Sequence, residues 1–399
     1  MRSSPSLPSN FSPNMKRTSA YDVAIVGGGL IGGSIAFELA AAKLRVIVLD
    51  RQAPGREASW AAAGMLSPAP DGPPTVQLVP LALESLALYP SFVAHVEEES
   101  GKSTDFVSAA GLEIFYPARG EAERDATIAD HRQLGTAIEP ITVEAARNIE
   151  KSINPNASAA ARFPDEARVD PRLLTDAVIS AAQRRGVEMR SGIEVTSLLR
   201  EGDRCTGVMA KNEKIAARHI IVAAGCFSGG IALGSETVAR FAPTIPIRGQ
   251  MIALRPSGFA MRHVVRSARG YLVPRTDGRI IAGSTLEDAG FEKRVTAAGM
   301  HKILEAALEL IPALAEAAIV ETWSGLRPGT PDQLPILGPS NIDGLLIATG
   351  HYRNGILLAP VTAKILHDCV LAGETPANAV IFSPLRFQQG NRHATSARH

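Results

Sequence analysis

Near its beginning the chain combines two short apolar runs with one helical pattern. Asp22–Val26 is an apolar run of β type, and the glycine-rich stretch Gly27–Gly33 follows it directly. A helical pattern then extends from about Ile31 to Ala42, and a second apolar run, Arg45–Asp50, ends in an acid. A strand, a glycine loop, a helix and a strand in such close succession predict a β-α-β unit with parallel strands.

The next part of the chain predicts a mixture of helices and strands. Leu81–Glu99 has a helical pattern interrupted near Pro90, Phe106–Tyr116 is of β type, and Glu121–Leu134 is a charged helix. Residues 150–168 have the composition of a loop. Further elements follow as a helix at 172–185 and strands near 187–190, 193–199, 204–211 and 219–224.

The pattern changes at Pro246, where short β runs separated by turn signals begin. Asp277-Gly278 lies between two of them and is a strong hairpin signal, so this segment predicts an antiparallel sheet. The β runs cover 250–254, 262–266, 270–274 and 279–283. A helix at 297–311, a strand at 344–348 and a helix from about Gly355 to Leu371 complete the pattern.

Composition narrows the function classes. Of 399 residues, 45% are hydrophobic and 20% charged, a balance that favours a large core over disorder. Lys and Arg number 41 against 40 Asp and Glu, whereas nucleic-acid binders usually carry a basic excess. No apolar stretch reaches ~18 residues and the first residues lack an apolar segment, so we expect neither a membrane span nor a Sec signal peptide.

The three cysteines are Cys205, Cys226 and Cys369. An odd number at wide spacing favours neither a disulfide framework nor a zinc site. We therefore expect buried thiols in a protein of the reducing cytoplasm.

The glycine loop has the spacing Gly27-x-Gly29-x-x-Gly32. The first glycine allows a tight turn, the second lets the backbone approach a pyrophosphate, and the third lets helix and strand pack closely. Asp50 ends the next strand, where a carboxylate can accept hydrogen bonds from ribose hydroxyls. A glycine-rich turn without a ligand is the alternative, but strand, helix and acid together predict dinucleotide binding. Arg51 either lies near the adenine or is solvated.

The distribution of elements favours FAD over NAD. The nucleotide-binding pattern is split, with a late return at residues 344–371, which suits a large cofactor that spans the molecule. The small residues of Ala58–Leu66 would let the backbone pass close to a flat ring system, although Ala61–Ala63 alone could form an ordinary helix.

These elements predict an α/β protein with a split Rossmann-like FAD-binding domain and an interleaved antiparallel-sheet substrate domain. We expect residues 21–99, 168–238 and 331–385 in the FAD-binding domain, and 100–167 and 239–330 in the substrate domain. Residues 1–20 predict a disordered extension in which Met15 is a second candidate start, and 386–399 a loose tail.

Seven motifs in this order resemble the D-amino-acid oxidase family of FAD enzymes, and within it the glycine oxidase branch of thiamine synthesis. They are DVAIVGGGLIGGSIAFEL, SWAAAGML, VDPRLL, IIVAAG, GYLVPR, WSGLRPGTPDQLPILG and GHYRNGILLAP. The resemblance covers about Tyr21 to Leu385. It implies that Arg327 binds the substrate carboxylate, that Tyr271 assists it, and that Arg353 and Met65 border the pocket.

The resemblance also implies a set of residues that hold FAD. They are Gly27, Gly29, Leu30, Ile31, Gly32, Asp50, Arg51, Ala58, Ser59, Ala63, Gly64, Met65, Val195, His351, Tyr352, Arg353, Asn354, Gly355, Ile356 and Leu357. Related sarcosine oxidases hold the flavin through a cysteine near the LRPGT motif, and none stands there in this chain, so we expect non-covalent FAD. This chain also has Asp50 where Glu is common, and Arg269 where some relatives have His.

The chemistry of these residue types agrees with such a site. The planar guanidinium of Arg327 matches a carboxylate in bidentate fashion; a surface arginine in a turn is the alternative. Tyr271 could equally be a half-buried strand residue. We expect a helix to begin at Asn354-Gly355, with free N–H groups that would stabilise negative charge on the flavin.

The predicted reaction is oxidation of glycine, and of sarcosine or small D-amino acids, to an imine that hydrolyses to glyoxylate and ammonia, with O₂ reduced to H₂O₂. The resemblance further implies a homo-oligomer, no membrane or nucleic-acid partner, and thiazole synthase as recipient of the imine. Two alternatives remain: a D-amino-acid or proline dehydrogenase that uses another electron acceptor, and a non-catalytic FAD-binding protein.

Overall fold

The computed structural model describes residues 21–69, 73–117 and 120–388. The expected extension 1–20 and the tail residues 389–399 lie outside this part of the chain. The helices are α1 (Leu30–Ala41), α2 (Ala58–Ala61), α3 (Val79–Ser100), α4 (Gly120–Gln133), α5 (Val143–Ile149), α6 (Pro171–Arg184), α7 (Ala297–Leu310) and α8 (Ala359–Ala372).

The strands form two large sheets and one two-stranded ribbon. They are β1 (Tyr21–Val26), β2 (Val46–Leu49), β3 (Met65–Leu66), β4 (Gly111–Phe115), β5 (Glu139–Ile141), β6 (Ala159–Phe163), β7 (Ala167–Arg168), β8 (Glu188–Arg190), β9 (Val195–Glu201), β10 (Arg204–Ala210), β11 (Glu213–Val222), β12 (Ala232–Leu233), β13 (Glu236–Thr237), β14 (Ile245–Arg255), β15 (Val264–Ser267), β16 (Gly270–Pro274), β17 (Ile280–Gly283), β18 (Ala318–Gly329), β19 (Ile336–Pro339) and β20 (Leu345–Thr349).

The ten-stranded sheet contains the predicted β-α-β unit. Its path runs β13-β12-β9-β10-β11-β1-β2-β8, and β20 pairs with β11 and β19. β1 pairs in parallel with β2 and with β11, so the parallel prediction is confirmed. The residues of Val23–Val26 and Val46–Leu49 are all buried, as is typical of parallel strands covered on both faces.

Helices α1, α3, α6 and α8 pack together on one face of this sheet. The segment Thr75–Ser100, which includes α3, is long and apolar enough to cross a membrane by length and composition alone. Its side chains Leu81, Tyr89, Phe92 and Val96 belong to the largest buried cluster, as expected for the core helix of a folded domain.

The eight-stranded sheet runs β18-β14-β17-β16-β15-β4-β6-β5. β14, β17, β16 and β15 are antiparallel neighbours, and the predicted hairpin at Asp277-Gly278 joins β16 to β17. α7 covers one face, where Ile303 and Leu310 pack with Leu272 and Ile252. Because side chains alternate along a strand, Tyr271 and Met251 lie on the opposite face.

Four local predictions were wrong. α3 continues through Pro90, because burial of Tyr89 and Phe92 offsets one missing hydrogen bond. Residues 150–168 contain β6, which pairs with β4 and β5, and β7, which pairs with β3, so their partners lie outside this segment. The last helix begins at Ala359 rather than at Gly355. Arg386 in the expected loose tail is bound to Asp332, Nε to Oδ2, at 2.7 Å.

Candidate active site

A cavity of about 590 Å³ is lined by residues of both large sheets. Its wall contains Gly27 and Asp50 from the ten-stranded sheet, Tyr271 and Arg327 from the eight-stranded sheet, and the residues Ala61–Met65. This volume falls within the ~300–1,000 Å³ of typical ligand pockets. The glycine loop and the predicted carboxylate-binding residues therefore open into the same space.

The glycine loop requires its glycines. Gly27 has a φ of 107°, and a Cβ there would lie 2.4 Å from the Ala223 carbonyl oxygen. A Cβ at Gly32 would lie 2.0 Å from the Gly27 carbonyl oxygen. α1 therefore packs directly against the loop, as the dinucleotide-binding pattern predicts.

Two polar side chains fix the beginning of α1. The Asp50 carboxylate accepts from the Gly28 N–H at 2.8 Å and from the Gln52 N–H at 3.0 Å. Burial raises the pKa of Asp50, although these two backbone hydrogen bonds act in the opposite direction. The Ser59 hydroxyl accepts from the Leu30 N–H at 2.9 Å, so α2 supplies the cap that Gly29 lacks.

Arg51 belongs to the wall of the cavity. Its guanidinium lies 3.5 Å from the centre of the Phe227 ring and 2.5 Å from the Glu57 carboxylate, and its side chain is 36% exposed. Burial alone would raise the pKa of Glu57, but hydrogen bonds from Lys293 and Arg51 hold it below its usual value. Arg51 therefore lines the cavity while part of its side chain remains exposed to solvent.

The residues 351–358 form a turn before α8 that lines the cavity. The Tyr352 N–H donates to the Pro328 carbonyl at 3.0 Å, which joins this turn to β18. α3 holds the other side, because the hydroxyls of Tyr89 and Ser85 donate to the carbonyls of Ile356 and Leu357 at 2.7 and 2.6 Å.

His351 in this turn is buried and shares a hydrogen bond with the Thr362 hydroxyl at 3.0 Å. Burial lowers its pKa to about 3. His351 is therefore neutral near pH 7, where it acts as a hydrogen-bonding group rather than as a charge. The helix expected at Asn354 is absent, because residues 354–358 form hydrogen-bonded turns, one of them closed by the Leu358 N–H on the Asn354 carbonyl, and α8 begins only at Ala359.

The pairing of strands aligns Tyr271, Gly283, Met251 and Trp323 across one face of the eight-stranded sheet. The Tyr271 hydroxyl lies 3.6 Å from the Met251 Sδ, which is a weak acceptor. A Cβ at Gly283 would lie 2.8 Å from the Tyr271 hydroxyl and 2.6 Å from the Met251 sulfur. The phenol hydroxyl therefore occupies space that a side chain at Gly283 would need.

Arg327 lies on β18 and faces the same side of the sheet. Its Nη2 donates to the Ser284 hydroxyl at 2.7 Å and its Nη1 to the Thr285 carbonyl at 3.1 Å. A Cβ at Gly249 would lie 2.1 Å from Nη1, so glycine at this position makes room for the guanidinium. The two bonds leave further N–H donors of the five that an arginine carries.

Most of the predicted site residues line the cavity. Those are Gly27, Gly29, Ile31, Asp50, Arg51, Ala58, Ser59, Ala63, Gly64, Met65, Val195, Tyr271, Arg327, His351, Tyr352, Arg353, Gly355 and Ile356. Leu30, Gly32, Asn354 and Leu357 are outside its described lining. Leu30 and Leu357 are core residues, and Gly32 supports the loop from behind.

Arg269 does not reach the pocket. Its side chain is 46% exposed and pairs with Glu305 and Glu309 on α7. It lies in the turn between β15 and β16, where its charge is paired at the surface of the protein.

The sequence analysis did not identify several residues that support or line the cavity. Gly249 and Ser284 reach Arg327 only through strand pairing, and nothing in their local sequence marks them. Cys226 also lines the cavity, and burial raises its pKa to about 12. The sequence signal for Cys226 was the motif IIVAAG directly before it.

A family model described as FAD-dependent oxidoreductase (DAO) matches residues 22–369. The chain belongs to this family. The residues of this FAD-dependent oxidoreductase fit the cofactor, since two glycines allow a close backbone approach and the cavity continues from the loop to Arg327.

Similar proteins carry more specific names. A glycine oxidase of Pseudomonas aeruginosa is 34% identical over 89% of this chain and 95% of its own length. The crystal structure of a glycine oxidase from Geobacillus kaustophilus superimposes with a TM-score of 0.85 at 31% identity, over 92% of this chain and 98% of that one.

A bifunctional protein ThiO/ThiG of Synechocystis sp. is 34% identical over 94% of this oxidoreductase. The chain spans about half the length of this relative, since the match covers 55% of it.

Proposed function

We propose that this protein oxidises glycine with O₂ to glyoxylate, ammonia and H₂O₂, and that sarcosine and small D-amino acids are further substrates. The observation that carries the proposal is that Arg327, held by Ser284 and Thr285, opens into the same cavity as the glycine loop. The names of the relatives support glycine as the first substrate to test.

FAD would be held by the glycine loop, Asp50 and Ser59 on one side and by the residues Ala61–Met65 and 351–356 on the other. When bound, FAD supplies the two-electron acceptor for the amine and the donor for O₂. Arg51 would contact the cofactor from the wall that it forms with Phe227.

Arg327 binds the substrate carboxylate in this proposal. Its guanidinium is half-buried, and charge-assisted hydrogen bonds are stronger where water is excluded. Ser284 and Thr285 fix the plane of the guanidinium, so that the bound carboxylate has one orientation. The Tyr271 hydroxyl is free to exchange its weak sulfur contact for the carboxylate.

The substrate reacts as a neutral amine, and the reaction needs no base from the protein. His351 does not titrate near neutral pH, and its Nε2 is engaged with Thr362. The substrate ammonium therefore loses its proton to solvent on binding. Met65 and Met251 present apolar surface to the cavity, which excludes water from the α-carbon.

The test is a substrate panel with H₂O₂ release and O₂ uptake as readouts. Glycine should consume one O₂ and give one H₂O₂ and one glyoxylate per turnover. Turnover of D-amino acids or proline only with an added quinone or dye would instead support the dehydrogenase alternative. A flavin that no amine reduces anaerobically would support the non-catalytic one.

We also propose that the imine serves a thiazole synthase in a reducing cytoplasm. The fusion of the corresponding regions in the ThiO/ThiG relative supports the partner, and three free, buried cysteines support the compartment. The test is thiazole formation by a thiazole synthase that receives its sulfur donor and its other carbon substrate, with glycine and this protein as the source of the imine. Unchanged product yield when this protein is omitted would contradict it.

A further inference from the structure

Four carbonyl groups of the segment Trp60–Met65 are each bound by a donor from elsewhere in the fold. Arg172 Nε donates to the Trp60 carbonyl at 3.2 Å, and Trp323 Nε1 to that of Ala61 at 3.1 Å. Arg275 Nη2 donates to the Ala63 carbonyl at 2.6 Å, and the Val169 N–H to that of Gly64 at 3.0 Å.

Trp323 lies in β18 and Arg275 follows β16, both in the eight-stranded sheet, whereas Arg172 lies in α6 and Val169 follows β7. All four donors lie outside the described lining of the cavity. The lining does include Ala61, Ala62, Ala63, Gly64 and Met65 themselves. The bound carbonyl groups therefore point away from the cavity, and the negative ends of their dipoles are kept from the cofactor.

Arg275 has the central place among these donors. It follows β16, the strand that carries Tyr271, and its side chain is 4% exposed. Its Nε lies 3.2 Å from the Asp170 carboxylate, which also caps α6 by accepting from the Arg172 N–H at 2.8 Å. One guanidinium thus connects the Tyr271 strand, the beginning of α6 and the cavity wall.

We propose that Arg275 is a positioning residue that holds the Ala63 carbonyl away from the flavin and so raises the reduction potential of the bound cofactor. Electrostatic stabilisation in a water-excluded site depends on which dipole ends face the charge that develops. A carbonyl turned toward the ring would disfavour added electrons. Burial lowers the pKa of Arg275 to about 10, so its charge is retained at neutral pH.

The substitution Arg275→Lys separates the hydrogen bond to the Ala63 carbonyl from the ion pair with Asp170. The guanidinium fork reaches Asp170 and Ala63 simultaneously, whereas a single ammonium can keep the carboxylate but lose the carbonyl. Arg279 offers a matched control, because its Nη2 lies 3.7 Å from the same Asp170 carboxylate and it has no bond to Ala63.

The experiment compares Arg275→Lys and Arg279→Lys as FAD-loaded proteins. Arg275→Lys should show a more negative flavin potential, a changed flavin absorption spectrum and a kcat for glycine about tenfold lower at little changed KM. Arg279→Lys should match the unsubstituted protein in all three. The kcat readout rests on the proposed glycine oxidation, while potential and spectrum do not.

A second variant covers the case in which Arg275→Lys does not fold. Trp323→Phe removes the donor to the Ala61 carbonyl and keeps an aromatic ring, and it should shift the potential in the same direction. If Arg275→Lys folds and keeps the normal potential and spectrum, or if both lysine variants change equally, the proposal is overturned. An unshifted potential in Trp323→Phe would also overturn it when the lysine variant is lost.

Discussion

The guanidinium of Arg327 occupies the space that a side chain at Gly249 would fill. The two residues lie on adjacent strands, β18 and β14, and an ideal Cβ at position 249 would be 2.1 Å from Nη1. The carboxylate-binding group is thus positioned by a missing side chain as well as by its hydrogen bonds to Ser284 and Thr285.

We expect Gly249→Ala to displace Arg327 and to weaken glycine oxidation. A misplacement of about 1 Å at a reacting centre can cost on the order of 100-fold, so kcat/KM should fall between roughly tenfold and 100-fold. FAD content, measured by absorbance after purification, should stay normal because the glycine loop is untouched.

A double-mutant cycle separates displacement of Arg327 from general damage. In an Arg327→Ala background, Gly249→Ala should cause little additional loss in kcat/KM, since residues that act through one contact are not additive. Fully additive losses would show that Gly249 acts independently of Arg327.

Arg327→Ala should lower kcat/KM for glycine. The loss should correspond to about 2–5 kcal/mol of transition-state stabilisation, the usual cost of truncating one partner of a buried charge pair. Arg327→Lys should restore it only in part, because a point charge lacks the planar fork. Arg269→Ala is the control, since Arg269 pairs with Glu305 and Glu309 at the surface, and it should change kcat/KM little. Near-normal kcat/KM in Arg327→Ala would require another carboxylate-binding residue, with Arg353 in the cavity wall the next to test.

FAD should be released intact when the protein is precipitated with acid or heat. Cys226 lines the cavity, but burial raises its pKa to about 12, so the thiolate needed for attachment is scarce at neutral pH. Cys226→Ser should release the same fraction of FAD. Yellow colour that remains with the precipitate of the unsubstituted protein, and disappears in Cys226→Ser, would contradict non-covalent binding.

His351 should make the fold sensitive to acid. Its pKa falls to about 3 in the folded protein, against ~6.5 in an unfolded chain, so protonation favours unfolding as pH drops below ~6.5. The free energy of unfolding continues to decrease until the pH reaches the pKa of His351 in the folded protein. At about pH 5 the decrease amounts to about 2 kcal/mol relative to neutral pH.

Denaturant unfolding at about pH 7.5 and about pH 5 measures this effect. His351→Gln keeps a group able to bond Thr362 but cannot titrate, so it should lose about 2 kcal/mol less over the same interval. Equal losses in both proteins would assign the acid sensitivity to other groups, such as His131 and His219, whose pKa values burial also lowers.

The nucleotide end of the site could be predicted because its determinants are close in sequence. Gly27, Gly32 and Asp50 belong to one β-α-β unit, and their spacing alone indicates a tight turn, a helix contact and a carboxylate at a strand end. The predicted α/β class follows from the same unit and from the hairpin at Asp277-Gly278, both of which the structure contains.

The substrate end depends on long-range pairing that the pattern did not reveal. β18 contains Gly325, Pro328 and Gly329, and its sequence did not predict the strand of 12 residues that the structure shows. Ser284 contacts Arg327 only because β14 lies between β17 and β18. Arg269 is the opposite case. It is close to Tyr271 in sequence, but its side chain lies at the surface and not on the face of the sheet that lines the cavity.

The hydroxyls that α3 donates to the turn before α8 couple the packing of this helix to the binding of FAD. Tyr89 and Ser85 bind the carbonyls of a turn that lines the cavity, so release of α3 from the core would also release part of the binding wall. By mass action, FAD that binds only the intact wall stabilises the docked helix. Cofactor supply during synthesis should therefore protect α3, the longest helix among the described residues, from aggregation, and chains starved of FAD should precipitate more readily.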